Sequence, residues 1–222
     1  MSNFLESFLK KYEVEEKTLK IENKNFVFFL PKDLTPFIKE GALSEFPLWA
    51  KVWEGAIVLA SYIYELDLDV PKSFLEIGAG IGVVGIIIAS LGHKITITDY
   101  DEDALKFALA NACKNLDSEK KESVTVKRCD WKQPQLEGER YDYIVGSDIL
   151  YREEDFDPIL RLFNTYLKPT GEVILAEGIR KSSLMFLDKL SKEYEVKIRK
   201  RVLRSSDQQT PVILIRAKRV KT

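Results

Sequence analysis

Four glycines lie within eight residues at Gly78–Gly85, after a short apolar run and before a helix-like pattern. Glycine has no Cβ and accepts positive φ, so such a turn lets the main chain approach a bound molecule closely. The helix that follows directs free N–H groups at the same place. Two carboxylates accompany the turn: Glu76 lies inside the apolar run, and Asp99 closes the next apolar segment. This pattern predicts a binding site for a nucleotide-type ligand.

Two ligands compete for this turn. Residues 80–85 read G-x-G-x-x-G, and Asp99 follows about 20 residues further on, as a dinucleotide site requires. An acidic side chain inside a strand, however, is costly unless it has a charged or hydrogen-bonding partner. S-adenosylmethionine would give Glu76 such a partner in its cationic amino group. The turn alone leaves both ligands open.

The elements that must position these residues alternate between strand and helix from residue 72 onward. This alternation is typical of a parallel sheet with crossover helices. The predicted strands are 73–78, 94–99, 123–129, 141–147 and 172–177, and the predicted helices are 82–91, 101–116, 154–167 and 182–193. Asp101 is predicted to cap the second of these helices.

The chain ends in two β-rich runs, EVKIRKRVL and PVILIRAKR, joined by a polar loop at 204–210. That loop is too short for a parallel crossover, which needs about a dozen residues or more. The two runs should therefore pair antiparallel. We predict an α/β, Rossmann-like sheet that is mostly parallel, ends in an antiparallel hairpin, and differs from the symmetric six-strand dinucleotide fold.

Residues 1–70 are predicted to form an extension that packs on a core at 71–222, within a single domain overall. The extension should contain a charged helical segment over 1–25, a short strand at 26–30 and a linker with Pro36 and Pro47. An amphipathic helix follows, since apolar residues recur at helical spacing in the segment after Pro47.

Several motifs together resemble a known family. FLEIGAGIG, with Asp99 closing the second strand, is similar to motifs one and two of the seven-strand, class I S-adenosylmethionine-dependent methyltransferases. VWEGAIVLASYI, the pair Asp130-Trp131 and SDILY resemble the branch called methyltransferase family 16, which contains protein-lysine methyltransferases and carries a D-x-x-Y motif. The resemblance covers roughly residues 48–178. Ile81 departs from it, since many relatives carry Thr there.

The resemblance implies S-adenosyl-L-methionine as the cofactor and S-adenosyl-L-homocysteine as its product. The residues implied to bind it are Trp53, Glu76, Gly78, Gly80, Asp99, Tyr100, Asp130, Trp131 and Ser147. Asp99 would accept the two ribose hydroxyls, since a carboxylate has two acceptor oxygens. Trp53 could equally pack its own helix, and Tyr100 could equally be a surface tyrosine.

Asp148 and Tyr151, the two ends of D-x-x-Y, are the predicted catalytic residues. A lysine has a reference pKa of about 10.4, so it arrives protonated and must lose a proton before it attacks a methyl group. A carboxylate can hold the ammonium, and an aromatic ring suits a cation. Whether water or Asp148 takes the proton stays open. The acidic residues at 153–155 also favour a basic substrate.

The resemblance therefore predicts an N-methyltransferase that acts on a lysine of a protein. The alternatives are a small-molecule amine or heterocycle N-methyltransferase and a non-catalytic, cofactor-binding partner protein. Nucleic acid is disfavoured as a substrate, because SDIL stands where an N-P-P-Y-type motif would follow the fourth strand. With no apparent signal peptide, membrane span or metal-ligand cluster, we expect a cytoplasmic protein without a metal.

Overall fold

A seven-stranded sheet forms the centre of the protein in a computed structural model. The structure describes residues 2–38, 46–66, 68–69, 71–136, 138, 140–204 and 209–220. The strands of this sheet are β3 Ser73–Ile77, β4 Lys94–Asp99, β5 Val124–Arg128, β6 Tyr141–Ser147, β7 Leu167–Gly178, β8 Tyr194–Arg204 and β9 Gln209–Arg219. Their order across the sheet is β5-β4-β3-β6-β7-β9-β8.

The first five strands in this order, from β5 across to β7, run parallel to one another. The strand β9 pairs antiparallel with both β7 and β8. The predicted α/β fold class, with its antiparallel ending, is confirmed. Because β3 pairs with β4 on one side and β6 on the other, the carboxyl ends of these three strands meet at one edge. Ligands of open α/β sheets bind outside that edge.

Helices cover the sheet and close the core. The helices are α1 Ser2–Lys11, α2 Glu54–Glu65, α3 Val83–Ser90, α4 Glu102–Asn115, α5 Ser118–Glu122, α6 Phe156–Tyr166 and α7 Lys181–Leu190. α3 is apolar all round and almost wholly buried, as a helix between layers must be. Asp101 caps α4 as predicted, since its side chain accepts hydrogen bonds from the N–H groups of Asp103 and Ala104.

The predicted helix over 1–25 is wrong beyond Lys11. β1 Val14–Ile21 and β2 Lys24–Pro31 form a separate antiparallel hairpin instead. The reason is the period of burial: Leu19 and Ile21 alternate with exposed residues, which suits a strand and not a helix. The predicted strand at 26–30 lies within β2.

The hairpin is attached to the rest of the protein by buried hydrogen bonds. Asn111 of α4 accepts from the N–H of Phe29 at 2.6 Å and donates to the carbonyl oxygens of Phe29 and Ile81. It therefore joins the N-terminal hairpin to the glycine turn. The predicted division between 1–70 and 71–222 stays a prediction, and residue 70 lies outside the described residues. In the part of the chain that the structure describes, no helix is long and apolar enough to span a membrane.

Candidate active site

A cavity of about 530 Å³ lies at the carboxyl edge of the sheet, where β3, β4 and β6 end. Its volume falls within the range of about 300–1,000 Å³ that is usual for small-molecule sites. Every predicted site residue except Glu76 lines it, namely Trp53, Gly78, Gly80, Asp99, Tyr100, Asp130, Trp131, Ser147, Asp148 and Tyr151. The structure thus brings residues from five separate segments into one chamber.

Asp99 links the end of β4 to the glycine turn. Its Oδ2 accepts from the N–H of Gly80 at 2.8 Å, and its Oδ1 accepts from the N–H of Asp101 at 3.0 Å. Burial raises the pKa of Asp99 above its ordinary value, while these two hydrogen bonds act in the opposite direction. A carboxylate has about four acceptor positions, so one position remains on each oxygen.

The glycine turn approaches its neighbours at van der Waals distance. Gly78 and Gly80 have φ of 61° and 53°, the left-handed region that favours glycine. A Cβ on Gly78 would lie 2.8 Å from Ile149 Cγ2 and 3.1 Å from the ring of Trp131. The turn, Ile149 and Trp131 therefore form a close-packed cradle in which a side chain at Gly78 has no room.

Glu76 is placed beneath the turn and not among the residues that line the cavity. It is 2% exposed, and its Oε2 accepts from the N–H of Gly85 at 2.9 Å. Burial raises the pKa of Glu76 to about 8. In the structure Glu76 braces the start of α3, and its contact with a cofactor amino group stays a prediction.

An aromatic and acidic wall closes one side of the cavity. Asp130 accepts from the N–H of Lys132 at 2.9 Å through Oδ1, and Trp131 lies against Gly78. Tyr100 is 58% exposed, and the guanidinium of Arg128 lies 4.7 Å from the centre of its ring. These side chains offer a hydrogen-bond acceptor and flat faces to a planar base.

Trp53 stands at the opposite wall, at the start of α2. Its Nε1 donates to the carbonyl oxygen of Leu48 at 2.8 Å, and the Lys51 ammonium lies 4.5 Å from the centre of its ring. The neighbouring Trp49 also lines the cavity, and its buried Nε1 has no hydrogen-bond partner among the described residues.

Asp148 lines the cavity but is largely buried, so it does not lie at the exposed rim. Its side chain is 7% exposed, and its backbone has φ of 51°. Oδ2 accepts from the N–H of Gly55 at 3.0 Å, while Oδ1 accepts from the N–H of Gly178 at 3.1 Å and from Arg180 at 2.7 Å. Three of its roughly four acceptor positions are therefore occupied within the protein.

Tyr151 lies at the mouth of the cavity and is 41% exposed. Burial of its hydroxyl raises the pKa of Tyr151 above the ordinary value. The hydroxyl therefore stays protonated at neutral pH, so it can donate as well as accept a hydrogen bond.

Sequence reasoning missed Glu177 and Arg180. Glu177 is 0% exposed, and its two oxygens accept from the N–H of Ile149 at 2.9 Å and of Leu150 at 3.3 Å. Burial, followed by the charge of Asp148, raises the pKa of Glu177 to about 8. The signal was present: like Glu76, Glu177 is an acidic residue at the end of an apolar strand.

A known family, described as lysine methyltransferase, matches residues 42–193 of the chain. The chain belongs to this family. Protein N-lysine methyltransferase METTL21A of Xenopus tropicalis is 35% identical over 132 residues, which cover 59% of this chain and 61% of that protein. The METTL21A protein of Danio rerio is 35% identical over 154 residues, covering 66% and 69% respectively. The chain thus spans just under two thirds of the first relative.

The fold is shared with solved methyltransferases. The glycopeptide N-methyltransferase MtfA, complexed with S-adenosyl-L-methionine, has a TM-score of 0.52 at 14% identity, covering 75% of this chain and 94% of that chain. The predicted membership of methyltransferase family 16 is confirmed by the family match, and the predicted class I methyltransferase fold by the solved structures.

The residues present fit this cofactor. Asp99 retains two acceptor positions, one on each oxygen, which is what a ribose diol requires. The cradle at Gly78 is bare backbone, and the adjoining wall supplies Trp131 and the Asp130 carboxylate. Among the described residues, no group of three or more His, Cys, Asp or Glu side chains could hold a metal ion.

Proposed function

We propose that this protein transfers a methyl group from S-adenosylmethionine to the side-chain nitrogen of a lysine in a protein substrate. One observation carries the proposal: a single cavity of a lysine methyltransferase family member is lined by both the glycine turn with Asp99 and the D-x-x-Y pair, Asp148 and Tyr151. Cofactor-binding and amine-binding groups therefore adjoin one another.

The cofactor-binding half consists of the turn, Asp99 and the wall beyond it. Gly78 and Gly80 would let the main chain approach the methionine part, and Asp99 would accept the ribose hydroxyls. Asp130 and Trp131 would contact the edge and face of the adenine. When bound, the cofactor supplies an electrophilic methyl group on a sulfonium.

The amine-binding half consists of Asp148 and Tyr151. Asp148 retains about one acceptor position, on Oδ2, with which it can hold an ammonium group. The ring of Tyr151 forms a wall that suits a cation, and its hydroxyl can orient the nitrogen. Holding nitrogen and methyl group in line, at about 3 Å, is the main contribution that such residues make to the rate.

The lysine must lose its proton before attack. The new N–C bond forms from the nitrogen lone pair while the S–C bond breaks, so the proton leaves for water or for Asp148.

A protein with a basic segment is the substrate class that we propose. Glu153 and Glu154, which follow Tyr151 in the chain, are exposed. Glu154 is paired with Lys132 at 3.1 Å, and Glu153 would attract lysine-rich segments. A cytoplasmic setting is part of the proposal, since Cys113 and Cys129 are both unpaired thiols, as expected in a reducing compartment.

The test uses tritium-labelled S-adenosylmethionine and a cell extract, with proteins separated from small molecules before counting. We expect the wild-type protein and the control Glu15→Gln, an exposed position on β1 outside the cavity lining, to label proteins, and Asp148→Ala to lose at least nine tenths of that label. Label confined to small molecules would contradict the protein substrate. Absence of S-adenosylhomocysteine binding by calorimetry would contradict the whole assignment.

A further inference from the structure

Two carboxylates brace the loop after β6, which carries Asp148 and Tyr151. Glu177, at the end of β7, accepts hydrogen bonds from the N–H groups of Ile149 and Leu150. In return, Asp148 in the loop accepts from the N–H of Gly178, the last residue of β7. The loop and the strand end therefore hold each other through these three hydrogen bonds to carboxylates and through a main-chain bond from the Asp148 N–H to the Ala176 carbonyl oxygen at 2.9 Å.

Arg180 completes this brace. Its guanidinium donates to Oδ1 of Asp148 at 2.7 Å, and its charge also lowers the pKa of Glu177. Arg180 is held in turn, because its N–H donates to the Ser183 hydroxyl at the start of α7. The Arg180 guanidinium thus pairs directly with Asp148 and also offsets part of the cost of ionising the buried Glu177.

The third element of the brace is the start of α2. Trp53, the N-cap residue just before the helix, makes no capping hydrogen bond with its side chain. The N–H of Gly55 in the first turn donates to Oδ2 of Asp148 instead. A Cβ on Gly55 would overlap that oxygen. Glycine at this position is therefore required for the approach, which also fixes Trp53 at the cavity wall.

The loop needs such support because its backbone is strained. Asp148 has φ of 51°, a conformation that residues with a Cβ rarely adopt unless their surroundings impose it. A buried carboxylate such as Glu177 is itself costly, and an apolar residue would suit the end of a strand better. Strain and burial together, next to a cavity, favour a functional role over a packing role.

We propose that Glu177 and Arg180 are positioning residues for the methyl-transfer site. Glu177 fixes the main chain at 149–150 so that Asp148 and Tyr151 line the cavity, and Arg180 holds the Asp148 carboxylate in place. This inference rests on the proposed function, since it assigns to both residues an effect on transfer through the D-x-x-Y pair.

The chain offers a matched control for each residue. Glu172, also on β7, is 4% exposed and is paired with Arg216 at 2.7 Å, five residues from Glu177. It lies outside the cavity lining. Glu172→Gln therefore reports the cost of altering a buried, ion-paired glutamate on the same strand, and Arg216→Lys serves the same purpose for Arg180→Lys.

Two measurements test the proposal. The first is the rate of label transfer to extract proteins at saturating S-adenosylmethionine, divided by the number of S-adenosylhomocysteine sites counted by calorimetry. We expect Glu177→Gln to lower this rate per site at least tenfold, with the KM for S-adenosylmethionine within threefold of wild type. Arg180→Met should do the same, and Arg180→Lys should restore part of the rate. A rate per site within twofold of Glu172→Gln would overturn the proposal.

The second measurement does not depend on activity. In Glu177→Gln the side-chain oxygen can still accept a hydrogen bond from one loop N–H. The side-chain NH₂ group faces the other loop N–H, and two donors cannot bond to each other, so one of the two loop hydrogen bonds is lost. We expect hydrogen exchange of at least one of the Ile149 and Leu150 amides to accelerate at least tenfold in Glu177→Gln but not in Glu172→Gln. Unchanged exchange would overturn the brace. An inactive wild-type protein would instead contradict the proposed function, while exchange would still decide whether the brace exists.

Discussion

Asp99 Oδ2 accepts a hydrogen bond from the N–H of Gly80 at 2.8 Å, so the end of β4 is joined to the turn that follows β3. The same carboxylate has one remaining acceptor position on each oxygen. The proposed cofactor site would therefore be preformed, because the residue proposed to bind the ribose also fixes the turn proposed to contact the methionine part.

Asp99→Asn should weaken cofactor binding. An amide has a single acceptor oxygen, so it cannot accept from the turn, from Asp101 and from two hydroxyls together. Hydrogen bonds to a charged group contribute about 1.5–3 kcal/mol, so we expect the Kd of S-adenosylhomocysteine to rise about 10- to 100-fold by calorimetry. Glu102→Gln, an exposed position in the first turn of α4, is the control and should leave the Kd within twofold. Equal affinity in both variants would exclude Asp99 from the site.

Gly78→Ala should damage both stability and binding. Its φ of 61° is unfavourable for alanine, and the added Cβ would lie 2.8 Å from Ile149 Cγ2. Gly92→Ala is a matched control, because Gly92 has φ of 87° but no atom within 4 Å of an added Cβ. The control should lose only the conformational cost, about 1–2 kcal/mol, by urea unfolding. If Gly78→Ala loses no more free energy of unfolding than Gly92→Ala and binds S-adenosylhomocysteine with unchanged affinity, Gly78 is neither closely packed nor part of the cofactor site.

Glu76 makes stability depend on pH. Its folded pKa is about 8, against an ordinary value of 4.5. Below pH 4.5 Glu76 is protonated in both the folded and the unfolded protein, so its burial carries no cost of ionisation. Between pH 4.5 and about 8 it ionises only in the unfolded protein, which favours unfolding. The free energy of unfolding should therefore fall as pH rises from about 4.5 to about 8, by at most about 1.4 kcal/mol per pH unit from this group, and level off above.

Glu76→Gln removes that ionisation and can keep the hydrogen bond from Gly85 through its amide oxygen. Urea unfolding at pH 5, 6.5 and 8 should show the variant gaining on the wild type as pH rises, in the absence of cofactor. The exposed residue Glu15 provides the control, Glu15→Gln. A difference between Glu76→Gln and wild type that is independent of pH would mean that Glu76 is ionised throughout the window.

Asn111→Ala should detach the N-terminal hairpin. The side chain is fully buried, and its removal leaves the N–H and C=O groups of Phe29 without their partners. Each unsatisfied buried group costs about 1–3 kcal/mol, so we expect a loss of roughly 2–5 kcal/mol by urea unfolding. Lys114→Ala removes the ion pair to Glu16 and the contact of the ammonium with the ring of Phe29, 5.2 Å from its centre, both on the same hairpin. It should cost at most about 2 kcal/mol. Similar losses in the two variants would show that Asn111 does not anchor the hairpin.

Much of the core could be predicted because it depends on local patterns. The strands at 94–99 and 141–147 have the predicted bounds, since both are rich in β-branched or aromatic residues and lie between turn signals. The short loop at 204–210 was enough to predict the antiparallel ending. β1 was missed because its many charged residues mask the alternation of Leu19 and Ile21.

The braces of the site could not be predicted, because they join residues far apart in the chain. Asp148 receives its hydrogen bonds from Gly55 and Gly178, which lie 93 and 30 residues away. Its positive φ leaves no mark in the sequence either, since aspartate carries no signal comparable to glycine. Residue types thus indicated which side chains line the cavity, while tertiary contacts decide which of their atoms are available to a substrate.

The proposed methylation of protein lysines is tested most directly by identifying the residue that receives the methyl group. Extract proteins are incubated with the wild-type protein and S-adenosylmethionine carrying a deuterated methyl group, then digested and sequenced by mass spectrometry. We expect deuterated methyl groups on lysine side chains, strongly reduced in amount when Asp99→Asn replaces the wild type at a limiting concentration of S-adenosylmethionine. Deuterated methyl groups on histidine or on other residues, or only in small molecules, would contradict the proposed lysine methylation.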